Sequence, residues 1–443
     1  MVRMTSRLVF QVCLGTIIFS IGIFEASSKI DAGLVRTLIA LGNQDVLVNF
    51  VGGNSRVINQ IQSQSFRSRE VKVRALTREL QTLTRNTQSP VKDLLNHQDI
   101  QYQSFWSSNQ MVIRNAHLSL LRVVANFPQV SRIQKLPVVH LKPIKNKIVP
   151  NADAIQWGVT KIQADQVWST FNTTGEGVVV ANIDTGVRGT HEALAANFRS
   201  DHGWFDPYNG TAFPNDQNGH GTHTMGTIAG TKGIGVAPGS KWIACRGCDS
   251  SSCGGEQLLA CGQWMLNPTN PDGNGTDPSK IPDVISNSWG SSVGGDTWYN
   301  ATIDAWKAAG ILSTFALGNQ GPSCRTGGSP GDQPGVFSVG STDKNDRLSY
   351  FSSRGPSASN SQLMKPEAGT IALMLSAYRN QQGDPTARLA FDKMVTTIEK
   401  SAVTQGLTLG FFSYRCALGF NSGFPNNEFG FETDMLIKIK CVD

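Results

Sequence analysis

The segment VVVANIDTG at positions 178–186 carries the pattern around which the chain is organised. Its apolar part, 178–183, contains no charged residue, which predicts a strand that is buried on both faces of a sheet. The run ends at Asp184-Thr185-Gly186, a turn-forming triplet. The pattern therefore puts a carboxylate at the carboxyl end of a core strand, where parallel α/β folds build their ligand sites.

Apolar runs that predict strands alternate with segments of helical periodicity through the rest of this region. Positions 218–227 form a small-residue loop that leads into a helix with His220 at its start. Further helices are predicted at 256–265 and 298–309, and further strands at 241–245, 282–286, 311–316 and 336–339. This alternation predicts an α/β fold with a doubly wound parallel sheet.

The region before it follows a different order. Positions 45–51 alternate like a strand, and positions 70–83 have apolar residues at helical spacing with arginine and lysine between them. A hairpin is predicted next, then a short apolar helix and a closing strand, at 101–114, 118–125 and 130–133. The order β-α-β-β-α-β predicts a small autonomous α+β domain, and the lysine- and proline-rich stretch after it predicts a linker.

Composition indicates a loop-rich globular enzyme. The 443 residues include 39% hydrophobic and 16% charged residues and 45 glycines, which excludes a disordered or fibrous chain. Charge is divided unevenly: residues 29–150 hold 17 Lys/Arg against 6 Asp/Glu, whereas residues from 151 onward hold 20 against 26. No nucleic-acid or membrane motif accompanies the basic region, and attraction between the two regions accounts for the asymmetry equally well.

The amino terminus predicts export. Arg3 and Arg7 precede an apolar run at 8–24 and then the small residues after Glu25, a pattern typical of a secretory signal peptide rather than an uncleaved anchor. No later segment is apolar enough to cross a bilayer. Four Asn-x-Ser/Thr sequons suit a secreted, extracellular protein: Asn172, Asn209, Asn274 and Asn300.

Cysteine usage agrees with export. After loss of Cys13 with the signal peptide, seven cysteines remain: Cys245, Cys248, Cys253, Cys261, Cys324, Cys416 and Cys441. Disulfides are expected, with the pairing left open, and one of the seven cannot pair within the chain. Zinc binding by the first four is the disfavoured alternative, because no second metal-like pair follows.

Three motifs together resemble the subtilisin-like serine peptidases. They are Asp184-Thr185-Gly186, His220-Gly221-Thr222-His223 and Gly318-Asn319-Gln320-Gly321. Each alone is a common turn, histidine pair or loop, but jointly and in this order they match the family's charge-relay and oxyanion segments. The resemblance covers 157–443. It implies a subtilisin-like domain there, while 30–140 resembles the family's propeptide in its order of elements and 141–156 is expected as the linker.

The resemblance implies a role for each motif. His220 would act as general base and then general acid, and Asp184 would fix its tautomer and stabilise the imidazolium. The Asn319 amide would donate to the developing oxyanion, a contact whose loss costs about 3 kcal/mol in subtilisin. The segment Ser288-Trp289-Gly290 would pair with an extended substrate backbone. His191 and His223 occupy family-typical positions without a proton-transfer role.

The nucleophile that the family carries is absent from the sequence. The family's Gly-Thr-Ser-Met-Ala-x-Pro motif occurs nowhere, although Lys365-Pro366-Glu367 matches the stretch that normally comes before it. Gly369-Thr370 is then either the motif itself with isoleucine in place of serine, or a later turn of the same helix after an internal loss between 367 and 368. We favour the loss, because the family's Ala-Pro-Gly stretch is missing too. Substitution by Ser352, Ser353 or Ser376 is not expected.

Two functions from different classes follow. The first is a secreted subtilisin-like serine endopeptidase precursor that lacks its nucleophile as written and acts on peptide or protein substrates under control of its own propeptide. The second is a non-catalytic protein that binds peptides along Ser288, Trp289 and Gly290, or that binds protease inhibitors. No cofactor, nucleic acid or membrane partner is expected. Calcium sites occur in the family, but the sequence shows no carboxylate cluster that we assign to calcium.

Overall fold

The computed structural model describes residues 28–141, 154–345, 347–355 and 368–384, which divide into two compact units. The first unit contains the described residues up to 59 together with 78–137, and the second contains 60–77 and the described residues from 138 onward. The predicted signal peptide, most of the predicted linker and the residues on the amino-terminal side of position 368 that bear on the internal loss lie outside the described ranges.

The first unit is built on an antiparallel sheet of four strands. Their order is β2 (Tyr102–Phe105), β3 (Gln110–Ala116), β1 (Gln44–Phe50) and β4 (Val130–Lys135), and the hairpin predicted at 101–114 is the β2–β3 pair. Apolar residues of strands and helices form one core, including Val46, Val48 and Ile113. The elements up to the end of this unit are α1 Ala32–Leu41, β1 Gln44–Phe50, α2 Ser55–Gln62, α3 Arg69–His97, β2 Tyr102–Phe105, β3 Gln110–Ala116, α4 Leu118–Ala125 and β4 Val130–Lys135.

Helix α3 is much longer than the helix predicted at 70–83. It continues through Pro90, although proline lacks the amide that a helix interior needs and costs about 3 kcal/mol there. Val91 and Leu95, one and five residues further on, are fully buried in the core of the first unit. Burial of these side chains outweighs the lost hydrogen bond, so tertiary packing extends the helix past a residue that would end it in isolation.

The second unit contains a parallel sheet of six strands, as predicted. The strand order is β12 (Phe337–Val339), β11 (Leu312–Ala316), β10 (Val284–Asn287), β6 (Val179–Asp184), β8 (Lys241–Arg246) and β7 (Trp204–Phe205), so the strands that follow β6 in sequence lie on both sides of it. Such a reversal of strand order opens a crevice at the carboxyl end of the central strand. The elements of this unit from residue 138 are β5 Val138–His140, α5 Trp157–Lys161, α6 Ala164–Phe171, β6 Val179–Asp184, β7 Trp204–Phe205, α7 His220–Ala229, β8 Lys241–Arg246, β9 Ser252–Gly254, α8 Gly255–Trp264, β10 Val284–Asn287, α9 Asn300–Ala308, β11 Leu312–Ala316, β12 Phe337–Val339 and α10 Ala368–Gln382.

Helix α10 belongs to the interior of the second unit. Ile371, Ala372 and Leu375 are almost completely buried and share a core cluster with Val180 of β6 and Met225 of α7. The segment 368–377 is mostly apolar, which suits a helix that other elements cover, and the polar residues 380–382 at its end are exposed. Its first described residue is Ala368, the position that follows the expected loss.

Disulfides cross-link the chain after β8. Cys245 pairs with Cys261 and Cys248 pairs with Cys253, so the predicted disulfides are present and the zinc alternative is wrong because no free thiolate remains among these four. Cys324 is also disulfide-bonded. The segment enclosed by the Cys245–Cys261 bridge contains β9, which includes Cys253 and pairs in antiparallel fashion with β5.

Candidate active site

Asp184 and His220 lie side by side at the carboxyl end of the central strand. Asp184 is the last residue of β6, and His220 is the first residue of α7. The imidazole Nδ1 and the carboxylate Oδ1 are 2.7 Å apart, with the Asp184 side chain 1% exposed and that of His220 15%. Because the carboxylate can only accept, Nδ1 carries the proton and donates it. Nε2 is then the nitrogen available to take a proton.

Two glycines allow this close approach. Gly219 precedes the helix with a φ of +98°, a left-handed conformation that side chains other than glycine rarely adopt. A Cβ on Gly221 would lie 2.0 Å from the carbonyl oxygen of Gly186 and 3.0 Å from the Cβ of Asp184. The small-residue loop before the helix is therefore a steric requirement for the contact between α7 and the end of β6.

The Asp184 carboxylate is held by neighbours of its own. Its Oδ1 also accepts from the Thr185 amide at 2.7 Å, and its Oδ2 accepts from the Thr224 hydroxyl at 3.3 Å. The Asn182 amide donates to the same hydroxyl and to the carbonyl of Gly221. These bonds compensate the carboxylate for burial and restrict its rotation.

The charges around His220 stabilise its protonated form. Burial lowers the pKa of His220, but the charge of Asp184, the hydrogen bond between the two side chains and the charge of Asp216 outweigh burial and hold that pKa above 6.5. The neighbouring His223 shows the opposite result, because burial and the positive charge of His220 lower its pKa. The site therefore favours one imidazolium, at His220.

Replacing Asp184 by asparagine is expected to change the pH dependence of stability. A histidine whose pKa is raised in the folded state stabilises that state fully below about pH 6.5, and this contribution is lost as the pH rises through the raised value. The melting temperature of the wild-type protein should therefore exceed that of Asp184→Asn, and the difference between the two should shrink as the pH rises above 6.5. In a His220→Gln background the same margin should not depend on pH over that interval, and a margin that depends on pH equally in both backgrounds would contradict the assignment.

A second carboxylate, that of Asp216, orders the loop that leads from β6 to His220, and the sequence did not single it out. Asp216 accepts from the Thr185 hydroxyl at 2.9 Å and from the Thr222 amide at 2.9 Å. It also accepts from the amides of Asn218 and Gly219. An aspartate two and three residues before such amides is the signature of an Asx turn, and that signal could have identified it.

Asn319 follows β11, which is separated from β6 in the sheet by β10. It lies three residues beyond the end of β11, after Gly318, whose φ is +114°. Its side chain is exposed at the same edge of the sheet that carries Asp184, because the carboxyl ends of parallel strands meet at one edge. The location suits a donor to a bound group, and the oxyanion role stays a prediction.

The segment Ser288-Trp289-Gly290 follows β10 directly. The indole of Trp289 is 2% exposed and stacks edge-on against Tyr299 and Phe315, with ring centroids 5.2 and 5.3 Å apart. The side chain thus belongs to the core, whereas Ser288 and Gly290 are partly exposed. The backbone, and not the indole, is the part of this segment that can face a bound peptide.

The other candidate histidine and the candidate serines have structural partners. His191 Nδ1 accepts from the Ala193 amide, and the hydroxyls of Ser352 and Ser353 accept from the amides of Ser341 and Gln320. The buried Ser376 hydroxyl donates to the Glu176 carbonyl at 2.8 Å. Within the part of the chain that the structure describes, none of these three serines is hydrogen-bonded to His220.

Neither a metal cluster nor a membrane-spanning helix is found in the described ranges. No three His, Cys, Asp or Glu side chains come together there as a metal cluster would. None of the helices there combines the length and the apolar character that crossing a bilayer requires.

Comparison with known proteins connects this geometry to a family. Residues 175–393 match the profile of the group described as the subtilase family. The chain is 34% identical over 289 residues to bacillopeptidase F of Bacillus subtilis, which covers 58% of this chain and 20% of that protein. It is 31% identical over 209 residues to subtilisin-like protease 1 of Arthroderma otae, and 26% identical over 245 residues to subtilisin-like protease 6 of Trichophyton schoenleinii. These matches cover 46% and 54% of this chain and 40% and 58% of the two relatives, so the chain spans less than two thirds of each relative.

Proposed function

We propose that this chain, whose residues 175–393 match the subtilase family, is a subtilisin-like serine endopeptidase whose written sequence lacks the nucleophile. The observation that carries the proposal is the hydrogen bond of 2.7 Å between His220 Nδ1 and Asp184 Oδ1 at the carboxyl edge of a parallel sheet. An imidazole oriented in this way is prepared to take a proton from a hydroxyl that attacks a peptide carbonyl.

The residues have distinct roles in this proposal. His220 Nε2 accepts the proton of the attacking hydroxyl and returns it to the leaving amine, while buried Asp184 stabilises the imidazolium that forms between these steps. The Asn319 amide donates to the oxyanion, and the backbone of Ser288 and Gly290 aligns the extended substrate. A hydroxyl beside Nε2 completes the reaction, and the active form of the protein obtains it from a segment between 367 and 368.

The location of α10 supports an internal loss over a substituted motif. Ile371, Ala372 and Leu375 already lie in the core, as residues in the body of a serine-bearing helix would. If the Gly369-Thr370 pair were the motif itself, these core contacts would have to be made by the first turns of that helix. The loss of a preceding segment explains both the core contacts and the absence of the Ala-Pro-Gly stretch.

Sequencing the transcript across the codons of Glu367 and Ala368 tests the proposal. A longer transcript with an inserted Ser motif should encode a protein that digests casein and reacts with a serine-directed phosphonate. Replacement of His220 by alanine in that longer protein should abolish digestion, whereas replacement of exposed Glu192 should leave it unchanged. If the longer protein digests casein equally well without His220, the assigned mechanism is wrong.

A transcript that is continuous at this junction would favour the second function, a peptide-binding protein without catalysis. The partial exposure of Ser288 and Gly290 at the end of β10 is the feature that supports it. Fluorescence polarisation with extended peptides then measures binding directly, independently of any hydrolysis.

The amino-terminal region acts in this proposal as the protein's own propeptide. Residues Val138–His140, which end the proposed propeptide at 30–140, add a strand in antiparallel fashion to Ser252–Gly254. Addition of a strand to an exposed edge is also how extended peptides bind to proteins. This pairing supports the proposal that the end of the propeptide inhibits the peptidase by occupying an edge where a peptide could bind.

Export, with glycans on exposed turns, completes the proposal. Asn172, Asn209 and Asn274 are exposed, whereas the Asn300 amide donates to Gln333 and the hydroxyl-bearing Thr302 of the same sequon is fully buried. Expression through a eukaryotic secretory pathway should therefore yield glycans on the first three and none on Asn300. Peptide mass spectrometry after enzymatic deglycosylation measures this, and a glycan on Asn300 in folded protein would be the contrary result.

A further inference from the structure

Asp216 connects the strand that ends in Asp184 to the helix that begins with His220. Its Oδ1 accepts from the Thr185 hydroxyl at 2.9 Å and from the Gly219 amide at 2.8 Å. Its Oδ2 accepts from the amide and the hydroxyl of Thr222, at 2.9 and 2.6 Å. One carboxylate therefore holds the residue after Asp184 and residues on both sides of His220.

Further hydrogen bonds connect the residues after Asp184 directly to the start of helix α7. The Gly221 amide donates to the Thr185 hydroxyl at 2.9 Å, and that hydroxyl donates onward to Asp216. The Arg188 amide donates to the Thr222 hydroxyl at 2.9 Å, which ties the turn after Asp184 to the helix as well. The separation between Asp184 and His220 is thus determined by a closed network with Asp216 at its centre.

We propose that Asp216 is a positioning residue for His220, which fixes the imidazole against Asp184 and adds a second negative charge to its surroundings. The inference deepens the proposed function, because an ordered and charged imidazolium is what peptide hydrolysis at this site requires. Asp216 contacts neither the substrate nor the reacting atoms in this account and acts through His220.

The charge of Asp216 is retained at neutral pH. Burial raises its pKa, but the hydrogen bonds from Thr222, Gly219 and Asn218 outweigh burial and hold the pKa below the usual value. The ionisable groups whose charges act on the His220 imidazole are then Asp184 on β6, Asp216 on the loop and His223 on the same helix. The two carboxylates favour the protonated form of His220, whereas the positive charge of His220 favours the neutral form of His223.

The test is a titration of the histidine rings by NMR in the full chain, with the His220 signals assigned through His220→Gln. In Asp216→Asn, the His220 midpoint should shift to lower pH, and the downfield Nδ1 proton shared with Asp184 should broaden or disappear. Asp216→Glu keeps the charge but displaces the carboxylate. It should retain a midpoint above that of Asp216→Asn while still broadening the proton signal.

Asp206→Asn is the matched control. Like the partly buried Asp216, the buried Asp206 is a loop carboxylate that accepts from backbone amides, those of Tyr208 and Asn209, and from a threonine hydroxyl, that of Thr211, but it belongs to a different loop. Its replacement should lower the melting temperature and leave both His220 signals unchanged.

The proposal is overturned if Asp216→Asn leaves the midpoint and the Nδ1 proton as in the wild type, or if Asp206→Asn changes them as much. Both readouts come from the imidazole itself. An absence of peptidase activity therefore bears on the proposed function and not on the role of Asp216.

Discussion

The purified 443-residue chain is expected to leave casein and fluorogenic peptides intact. The described site holds His220, the proposed base, hydrogen-bonded to Asp184, but the nucleophile motif that the subtilisin-like peptidases carry is absent from the sequence. In subtilisin, removal of the nucleophile alone lowers kcat by about 10⁶-fold, and the remaining components act as a unit with it. A base without an alcohol to activate gives no comparable turnover.

Two measurements check this outcome. Peptide cleavage by the wild-type chain and by His220→Ala should be indistinguishable, because the base has no hydroxyl to deprotonate. A serine-directed phosphonate should leave the wild-type chain unlabelled in intact-mass spectra. Casein digestion by the 443-residue chain that disappears on replacing His220 would refute the absence of a nucleophile.

Replacing Asp283 by alanine is expected to lower the free energy of unfolding by about 3–5 kcal/mol. Asp283 immediately precedes β10, and its side chain is 6% exposed and lies 3.1 Å from the Arg379 guanidinium of α10, which is 5% exposed. Its Oδ2 also accepts from the Val179 amide at 2.9 Å. Alanine would remove the carboxylate that pairs with the buried Arg379 and that also lies 3.4 Å from Arg69, while Arg379 would keep its bond to the Gly177 carbonyl.

Chemical denaturation of the wild type, Asp283→Ala and Asp283→Asn measures this effect. Asparagine retains an acceptor for Val179 and should show an intermediate loss. Glu192→Ala is the control, since this fully exposed carboxylate pairs with Lys232 at the surface and should leave the unfolding midpoint unchanged. Equal losses in Asp283→Ala and in the control would contradict a stabilising role for the buried pair.

Asp283 lies at the amino ends of the parallel strands, opposite the edge that carries Asp184. Its replacement should therefore reduce stability without changing the titration of His220. The residues that support α10 lie at one end of the parallel strands, and those that order the imidazole lie at the other. Stability and the geometry of the site can then be measured independently in the same set of variants.

Several elements were predictable because a local pattern sufficed. The apolar run at 178–183 has one favourable arrangement, a strand covered on both faces, and β6 is found there with Asp184 at its carboxyl end. The glycines around His220 likewise mark a helix start that must approach another backbone closely. Motif order then related Asp184 to His220, and the structure brings the two side chains within hydrogen-bonding distance.

Other features depended on partners far away in sequence. The extension of α3 beyond Pro90 required burial of Val91 and Leu95, which no local propensity encodes. The side chain of Trp289, part of a predicted binding segment, is directed into an aromatic cluster by Tyr299 and Phe315. The pairing of four cysteines was open until the chain brought Cys245 to Cys261 and Cys248 to Cys253.

The amino-acid sequence by itself indicated the resemblance to the subtilases, the parallel α/β architecture and the pairing of Asp184 with His220, because these depend on short motifs and on the periodicity of apolar residues. It also determined that the serine motif is missing. Only the tertiary structure decided how the pair is held, since the five hydrogen bonds to Asp216 join residues of a strand end, a loop and a helix. Contacts of that kind depend on the packing of the whole sheet, and no local pattern specifies them.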